Sequence, residues 1–197
     1  MRDDSTFSER FVLHQGDIEH LEMLVRLITK IAPDEVYNLA AQSSVHLSFE
    51  QPISTIKTVG LGVINVLEAI KLVNRDIKLF QASSSEIFGH TRVFPQAEST
   101  PTYPSSPYAV AKLTAFAAVR MYREAYGLKV CSGILYNHES SRRGGNFVTQ
   151  KIINAVVKIK YGLQSQLELG NLDSRRDWGH ARVFVLCMWK MLSLIHI

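Results

Sequence analysis

Residues 81–90, QASSSEIFGH, end an apolar run with three consecutive serines and a glutamate. A loop chosen only for solubility rarely needs Ser84 and Glu86 just beyond a buried strand. A hydroxyl and a carboxylate together can hold and move protons. Tyr108 and Lys112 lie four apart in a predicted helix, so their side chains share a face. An ammonium beside a phenol favours the phenolate and lowers the tyrosine pKa. A phenol brought toward neutrality can remove a proton from a sugar or alcohol hydroxyl while hydride leaves the same carbon. The spacing alone also fits a half-buried tyrosine beside a solvated lysine. Its place in the chain narrows the reading: Tyr108 falls in the first helical turn, directly after Ser106 and Pro107, which read as cap and first helical residue.

These groups must be positioned by an alternation of strands and helices. RFVLHQGD (10–17) reads as a strand with a helix cap behind it. The next segment puts Ile18, Leu21, Leu24, Val25, Ile28 and Ile31 on one helical face, and Pro33 ends it. DEVYNLAA is a second strand, residues 52–73 a long apolar helix thinned by Gly60 and Gly62, and IKLFQA a third strand leading into the serines. A helix from Pro107 closes at Gly127, LKVCSGILYN is a fourth strand, and residues 147–161 form a further helix. Continuous apolar strands of roughly five to eight residues, alternating with helices, predict an α/β fold with a doubly wound parallel sheet. Ligands in such folds gather beyond the carboxyl ends of the strands. Ala40 to Ser44, Ser83 to Glu86 and Asn137 to Arg143 each follow a predicted strand, so three polar loops should meet there. After Tyr161 the character changes to a short strand in LELGNLDSRRDWGH, a charged turn and a helix from about Ala181. The expected division is residues 1–165 as a partial dinucleotide-binding domain and 166–197 as the beginning of a substrate-binding domain.

At 197 residues the chain has room for one domain and part of a second, and its 46% hydrophobic and 20% charged content is that of a globular protein. Charges interrupt every apolar run before it reaches membrane-span length, and the first ten residues carry no signal-peptide pattern. The expected location is the cytoplasm, with no membrane partner. A net charge of +4 admits an anionic partner, yet no dense basic run points to nucleic acid; a phosphate-bearing small molecule needs only a few placed arginines. Cys131 and Cys187 read as buried thiols. His14, His20, His46, His90, His180 and His196 show no metal-ligand spacing and read as surface or loop positions, so no metal site is expected.

Five segments carry a resemblance: DEVYNLAAQSSVHLSFEQP, QASSSEIFG, YPSSPYAVAKL, NHESSRRGGNFVTQKI and LGNLDSRRDWGHA. Together they resemble the GDP-mannose 4,6-dehydratase family of extended short-chain dehydrogenases/reductases, over roughly residues 11 to 189. The serine-glutamate loop and the Tyr-Lys pair are shared with other nucleotide-sugar dehydratases and partly with epimerases; the last two segments are more specific. The resemblance implies a Rossmann-like, NAD(P)-binding fold and a hydro-lyase that converts GDP-mannose to GDP-4-keto-6-deoxymannose by internal hydride transfer through NADP. It implies catalytic roles for Ser84, Glu86, Tyr108 and Lys112. Tyr108 would take the C4 hydroxyl proton, Lys112 would hold the nicotinamide ribose, and Glu86 would remove the C5 proton. Cofactor contacts carried over are Asp17, Ile18, Leu39, Ala40, Ala41, Ser43, Tyr108, Lys112, His138 and Arg143. Substrate contacts are Ser85, Asn137, Asn146, Lys151 and Arg176. Lys151 also fits a solvated helix face, and Arg176 a pairing with Asp173 or Asp177. A homo-oligomer, dimer or tetramer, is implied for the full-length enzyme.

The largest departure from the family concerns what precedes residue 11. The family's first strand and Gly-rich phosphate-binding turn have no counterpart there, so the chain is expected to be truncated at both ends and inactive alone. Ser141 stands where the family usually has proline and Ser54 where it has tyrosine, and SLIHI fits no family continuation. Two other readings stay open: a non-catalytic remnant that keeps the site residues, and an epimerase or ketosugar reductase, against which Glu86 counts.

Overall fold

A computed structural model describes residues 11–145 and 147–195 of the chain. The first helix, α1 (Leu21–Ile31), is followed by strand β1 (Glu35–Asn38) and helices α2 (Val45–Glu50) and α3 (Pro52–Thr55). A π-helical stretch, Ile56–Leu61, joins α3 to α4 (Gly62–Val73). Strand β2 (Lys78–Ala82) runs into a single 3₁₀ turn, Ser85–Phe88, and then come α5 (Pro107–Tyr126), β3 (Val130–Gly133), β4 (Asn137–Glu139), α6 (Val148–Lys160), β5 (Trp178–His180) and α7 (Ala181–Leu194).

β1, β2 and β3 form a parallel sheet with β2 in the middle. Alternate residues of the strands point to opposite faces. Leu79 and Val130 pack with Val63, Leu67 and Ile70 of α4 and Ala115, Val119 and Tyr122 of α5. Phe80, Ala82 and Cys131 face the other way and meet Met188 and Leu192 of α7. Helices thus cover both faces, as the continuous apolar strands predict. The segment expected to open a second domain sends α7 back onto this sheet.

The local signals explain the best-formed elements. Ser106 Oγ accepts from Ala109 N at 3.1 Å, Pro107 occupies the first turn of α5, and Gly127 closes it in the left-handed region at φ 68°. Ile18, Leu21, Leu24 and Val25 pack on the core and Ile28 is buried, so the predicted face of α1 is right except for exposed Ile31.

Four readings need correction. Residues 11–17 form no strand, and Val12 and Leu13 are exposed; apolar character makes a strand only where a neighbouring backbone completes the ladder. The short strand expected in residues 167–180 follows the charged turn rather than preceding it, at Trp178–His180, where Asn137, His138 and Glu139 of β4 supply parallel partners. The fourth predicted strand breaks after Gly133, because the chain leaves β2 and pairs with β5. Cys131 is buried but Cys187 is exposed, since α7 seats Met188 and Leu192 rather than Cys187 on the sheet. Among the described residues no helix is long and apolar enough to cross a membrane.

Gly89 ends the serine loop at φ 47°, and a Cβ there would lie 1.8 Å from the Tyr103 carbonyl oxygen. Gly127 has a similar φ but nothing within 4 Å. Gly89→Ala should therefore cost about 3 kcal/mol of stability from strain and clash together, or roughly 6 to 12 °C in unfolding midpoint. Gly127→Ala should cost about 1 kcal/mol. Thermal unfolding of both variants checks the contrast; equal losses would mean the Gly89–Tyr103 approach does not constrain the fold.

Candidate active site

The carboxyl ends of β1 and β2 carry a buried polar line rather than apolar side chains. Asn38 and Gln81 lie opposite each other in the register. Asn38 Oδ1 accepts from Ala40 N at 3.2 Å, and Asn38 Nδ2 donates to Gln81 Oε1 at 2.7 Å. Gln81 Nε2 donates to the Ala82 carbonyl at 3.0 Å, and Lys112 Nζ donates to the same carbonyl at 2.8 Å. Lys112 is 3% exposed, and Tyr108, one turn earlier on α5, is also buried. Its ring packs with Val59 of the π-helical stretch, Ala111, Ala41 and Val45. A π-bulge at this place suits a site, since the widened turn re-aims side chains.

The serine loop arrives from β2 beside the chain that leaves β3. Ser83 N and Ser85 N donate to the carbonyls of Gly133 and Leu135, each at 2.9 Å. Ser84 Oγ caps the 3₁₀ turn by accepting from Glu86 N at 3.3 Å. Around Tyr108 four influences act on the phenol. Burial dominates and raises its pKa; a hydrogen bond from Ser84 lowers it, the Glu86 charge raises it, and the Arg143 charge lowers it. Ser84, Glu86 and Arg143 are therefore near enough to act on the Tyr108 phenol. Lys112 Nζ sits 5.7 Å from the centre of the Tyr108 ring, and burial brings its own pKa down to about 8.

The expectation that Lys112 pulls the Tyr108 phenol toward neutrality is overturned here: the net direction is upward. Desolvation penalises phenolate and ammonium alike, and the ammonium is directed at the Ala82 carbonyl.

The other predicted positions are spread more widely. Leu39, Ala40 and Ser43 form an exposed loop beyond β1, while Ala41 packs against the Tyr108 group. Asp17 Oδ1 accepts from Glu19 N at 2.9 Å, and the Ile18 carbonyl accepts from Asn65 Nδ2 at 3.2 Å, which pins this turn to α4. His138 hydrogen-bonds the Tyr136 carbonyl through Nδ1 at 2.8 Å and its ring meets Phe184 at 5.2 Å. Arg143 lies over the Phe147 ring at 3.5 Å and forms an ion pair with Glu139, Nε to Oε2 3.3 Å, without the alignment of a hydrogen bond. Asn137 N donates to the Asp177 carbonyl. Lys151 is exposed on α6 and lines a cavity of about 530 Å³ with Gly145, Asn154 and Lys158. Arg176 donates to the Arg175 carbonyl and, among the described residues, pairs with neither Asp173 nor Asp177. Among the described residues no hydrogen bond or ion pair joins Lys151 or Arg176 to the Tyr108 group. Asn146 and His196 lie outside the described residues.

The polar line through Asn38 and Gln81 is what sequence reasoning missed. The available signal was a pair of amides at the ends of otherwise apolar strands. The buried Ser83 hydroxyl, without a hydrogen-bond partner among the described residues, escaped notice too.

The family model described as GDP-mannose 4,6 dehydratase matches residues 1–195. The chain belongs to the GDP-mannose 4,6-dehydratase family. It is 53% identical over 185 residues to GDP-mannose 4,6 dehydratase 1 of Arabidopsis thaliana, covering 92% of this chain and 51% of the relative. It is 49% identical over 185 residues to the GDP-mannose 4,6-dehydratase of Vibrio cholerae, covering 93% and 50%. The chain spans about half the length of the curated relatives it matches. Among solved structures, RMD of Pseudomonas aeruginosa complexed with NADPH superposes with a TM-score of 0.85 at 28% identity, covering 93% of this chain and 62% of RMD. A UDP-glucose 4-epimerase of Thermotoga maritima gives a TM-score of 0.82 at 23% identity, over 95% of this chain and 60% of the epimerase, which speaks to the fold alone. The neighbours share the Rossmann-like fold expected for this family.

The electrostatics of Lys112 give a signed prediction. Its folded pKa of about 8 lies below the ordinary lysine value of 10.5. Holding the ammonium in the fold therefore costs stability at every pH below 8, and the cost fades as pH rises toward 10.5. Lys112→Met should stabilise the chain at neutral pH, by up to about 3 kcal/mol, with the gain shrinking as pH rises past 8. Thermal unfolding of both proteins across that range checks it. A gain that does not depend on pH would mean Lys112 is not desolvated.

Proposed function

We propose that this chain carries the catalytic groups of an enzyme that converts GDP-mannose to GDP-4-keto-6-deoxymannose. The observation that carries the reading is the convergence of the Ser84 hydroxyl and the Glu86 charge on the buried Tyr108 phenol, with Lys112 beside the ring. A dehydrogenase alone needs a phenol and a lysine; a carboxylate at the same spot adds a base for a second carbon.

The residues at the carboxyl end of the sheet fit the nicotinamide-ribose end of NADP. Lys112 offers an ammonium, Ser83 a buried hydroxyl without a partner among the described residues, and Leu39 and Ala40 an exposed stretch of backbone beyond β1. Lys112, Tyr108, Ala40, Ala41, Ser43, His138 and Arg143 would hold the cofactor, with Asp17, Ile18 and Leu39 toward its adenosine end. When bound, NADP would supply a hydride acceptor for C4 that later returns the hydride to C6.

The chain's own residues handle the protons. Tyr108 takes the C4 hydroxyl proton as the ketone forms. The ketone makes the C5 hydrogen acidic, and Glu86 removes that proton. Glu86 and Ser84 then deliver a proton to the leaving C6 hydroxyl, so that water departs and a C5–C6 double bond remains. A proton returned to C5 completes the 4-keto-6-deoxy product. Ser85, Asn137, Asn146, Lys151 and Arg176 would hold the nucleotide sugar, the two cations by charge-assisted bonds to its diphosphate. The segment 166–197 would begin the part of the enzyme that closes over the substrate. Assembly into a dimer or tetramer belongs to the same proposal; exposed Val110 and Met121 on α5 and Ile53, Leu61 and Leu72 on α3 to α4 support it.

Because the chain covers about half of each relative, turnover should be assayed on the chain alone and on the chain joined to the flanking segments of the Vibrio cholerae enzyme. The joined protein should release the 4-keto product, and the chain alone should not. In the joined protein Tyr108→Phe should abolish the appearance of reduced NADP. Glu86→Gln should leave that first oxidation and slow water loss by about 10²- to 10⁴-fold. If Glu86→Gln dehydrates normally, Glu86 is not the C5 base and another group removes that proton. Since burial raises the Tyr108 pKa, the first oxidation should also speed up steadily from pH 6 to about pH 9. A flat profile would remove Tyr108 as the base.

A further inference from the structure

Asn38 is 6% and Gln81 1% exposed, and neither is called on by the chemistry above. Two amides in the interior of a parallel sheet are costly unless their polar groups find partners. An apolar pair would fill the same space without that demand. The direction of each amide follows from the two ends of the line. The Ala40 N–H can only donate, so Asn38 Oδ1 faces it at 3.2 Å and Asn38 Nδ2 faces Gln81. Gln81 Oε1 accepts at 2.7 Å, which turns Gln81 Nε2 to the Ala82 carbonyl at 3.0 Å. A carbonyl can only accept, and it is the group to which Lys112 Nζ donates at 2.8 Å. No carboxylate pairs with Lys112 among the described residues, so a long, flexible stem is held at its tip by that one carbonyl.

We propose that Asn38 and Gln81 are positioning residues: through the Ala82 carbonyl they set where the Lys112 ammonium sits, and through the Ala40 N–H they couple that position to the loop after β1. The role rests on the reading of Lys112 as the group that holds the nicotinamide ribose. An ordering of the 39–41 loop by ligand then reaches Lys112 along a line of four hydrogen bonds that contains no titrating group except Lys112 itself.

The test separates positioning from packing. Asn38→Leu or Gln81→Met alone strands one buried amide, whereas the two together replace both partners by apolar groups of similar shape, which can be nearly neutral for stability. On the full chain, each single variant should unfold at a lower temperature and the double variant should recover most of the loss. The Lys112 ammonium resonance, assigned by its absence in Lys112→Arg, should nevertheless shift in Gln81→Met and in the double variant. Its protons should exchange with water at least about tenfold faster, as expected for a weakened charge-assisted hydrogen bond. A recovered double variant with an unchanged ammonium signal would overturn the proposal and leave the amides as packing. Should the double variant not fold, the ammonium signal of Gln81→Met decides in the same way. The signal reports geometry alone. A chain that shows this response while the joined enzyme fails to oxidise GDP-mannose refutes the function proposed above and upholds this assignment.

Discussion

The arrangement depends on a lysine buried against a carbonyl. Lys112 has given up nearly all its water and gained one acceptor, the Ala82 oxygen at the end of β2. An ammonium in that position is expensive, and its lowered pKa is the measure of the cost. Lys112 and Tyr108 sit on the face of α5 that turns inward, so the capped start of the helix, its register and the π-helical stretch beneath it together decide where the two polar tips lie. The apolar core shared by α4, α5 and β2 supplies the stability that this local expense draws on.

Around that lysine the sheet provides the frame. Alternate residues of β2 send Leu79 to one helical layer and Phe80 and Ala82 to the other, so both faces are covered and only the strand ends remain for polar groups. The loops after β1 and β2 leave from that edge, and the chain after β3 turns aside to pair with β5. Gly89 then brings the end of the serine loop against Tyr103, a few residues before α5 begins. Ser84 and Glu86 of one loop, Tyr108 of α5 and Arg143 come from three separate segments, and the first two and the last all act on the Tyr108 phenol.

That phenol shows how burial can reverse a charge argument. Two groups spaced to share a helical face should perturb each other in the direction of Coulomb's law, the lysine stabilising the phenolate. In the folded chain the same burial that brings them together disfavours both charged forms, and the ammonium is turned to a backbone acceptor. The opposing contributions of Ser84 and Arg143 on one side and Glu86 on the other leave the balance sensitive to small changes in what surrounds the phenol.

Much was readable before any coordinates. Ser106, Pro107 and Gly127 announce α5 because capping chemistry is local, and the period of Ile18 to Ile28 announces the inward face of α1 because helical geometry is local too. The serine-glutamate loop and the Tyr-Lys pair were visible as residue types at fixed spacings, and the motifs around them carried the family. Pairing was not visible: whether residues 11–17 become a strand, or whether Trp178–His180 does, depends on which backbone lies alongside. Nor was the Asn38–Gln81 line, since two amides 43 residues apart acquire meaning only when strand register sets them opposite each other. The sequence by itself determined the inward face of α1, the extent and caps of α5 and the chemical groups. Tertiary structure decided the partners and the direction of the Tyr108 shift, because hydrogen-bond pairing and desolvation depend on what lies beside a group in space rather than along the chain.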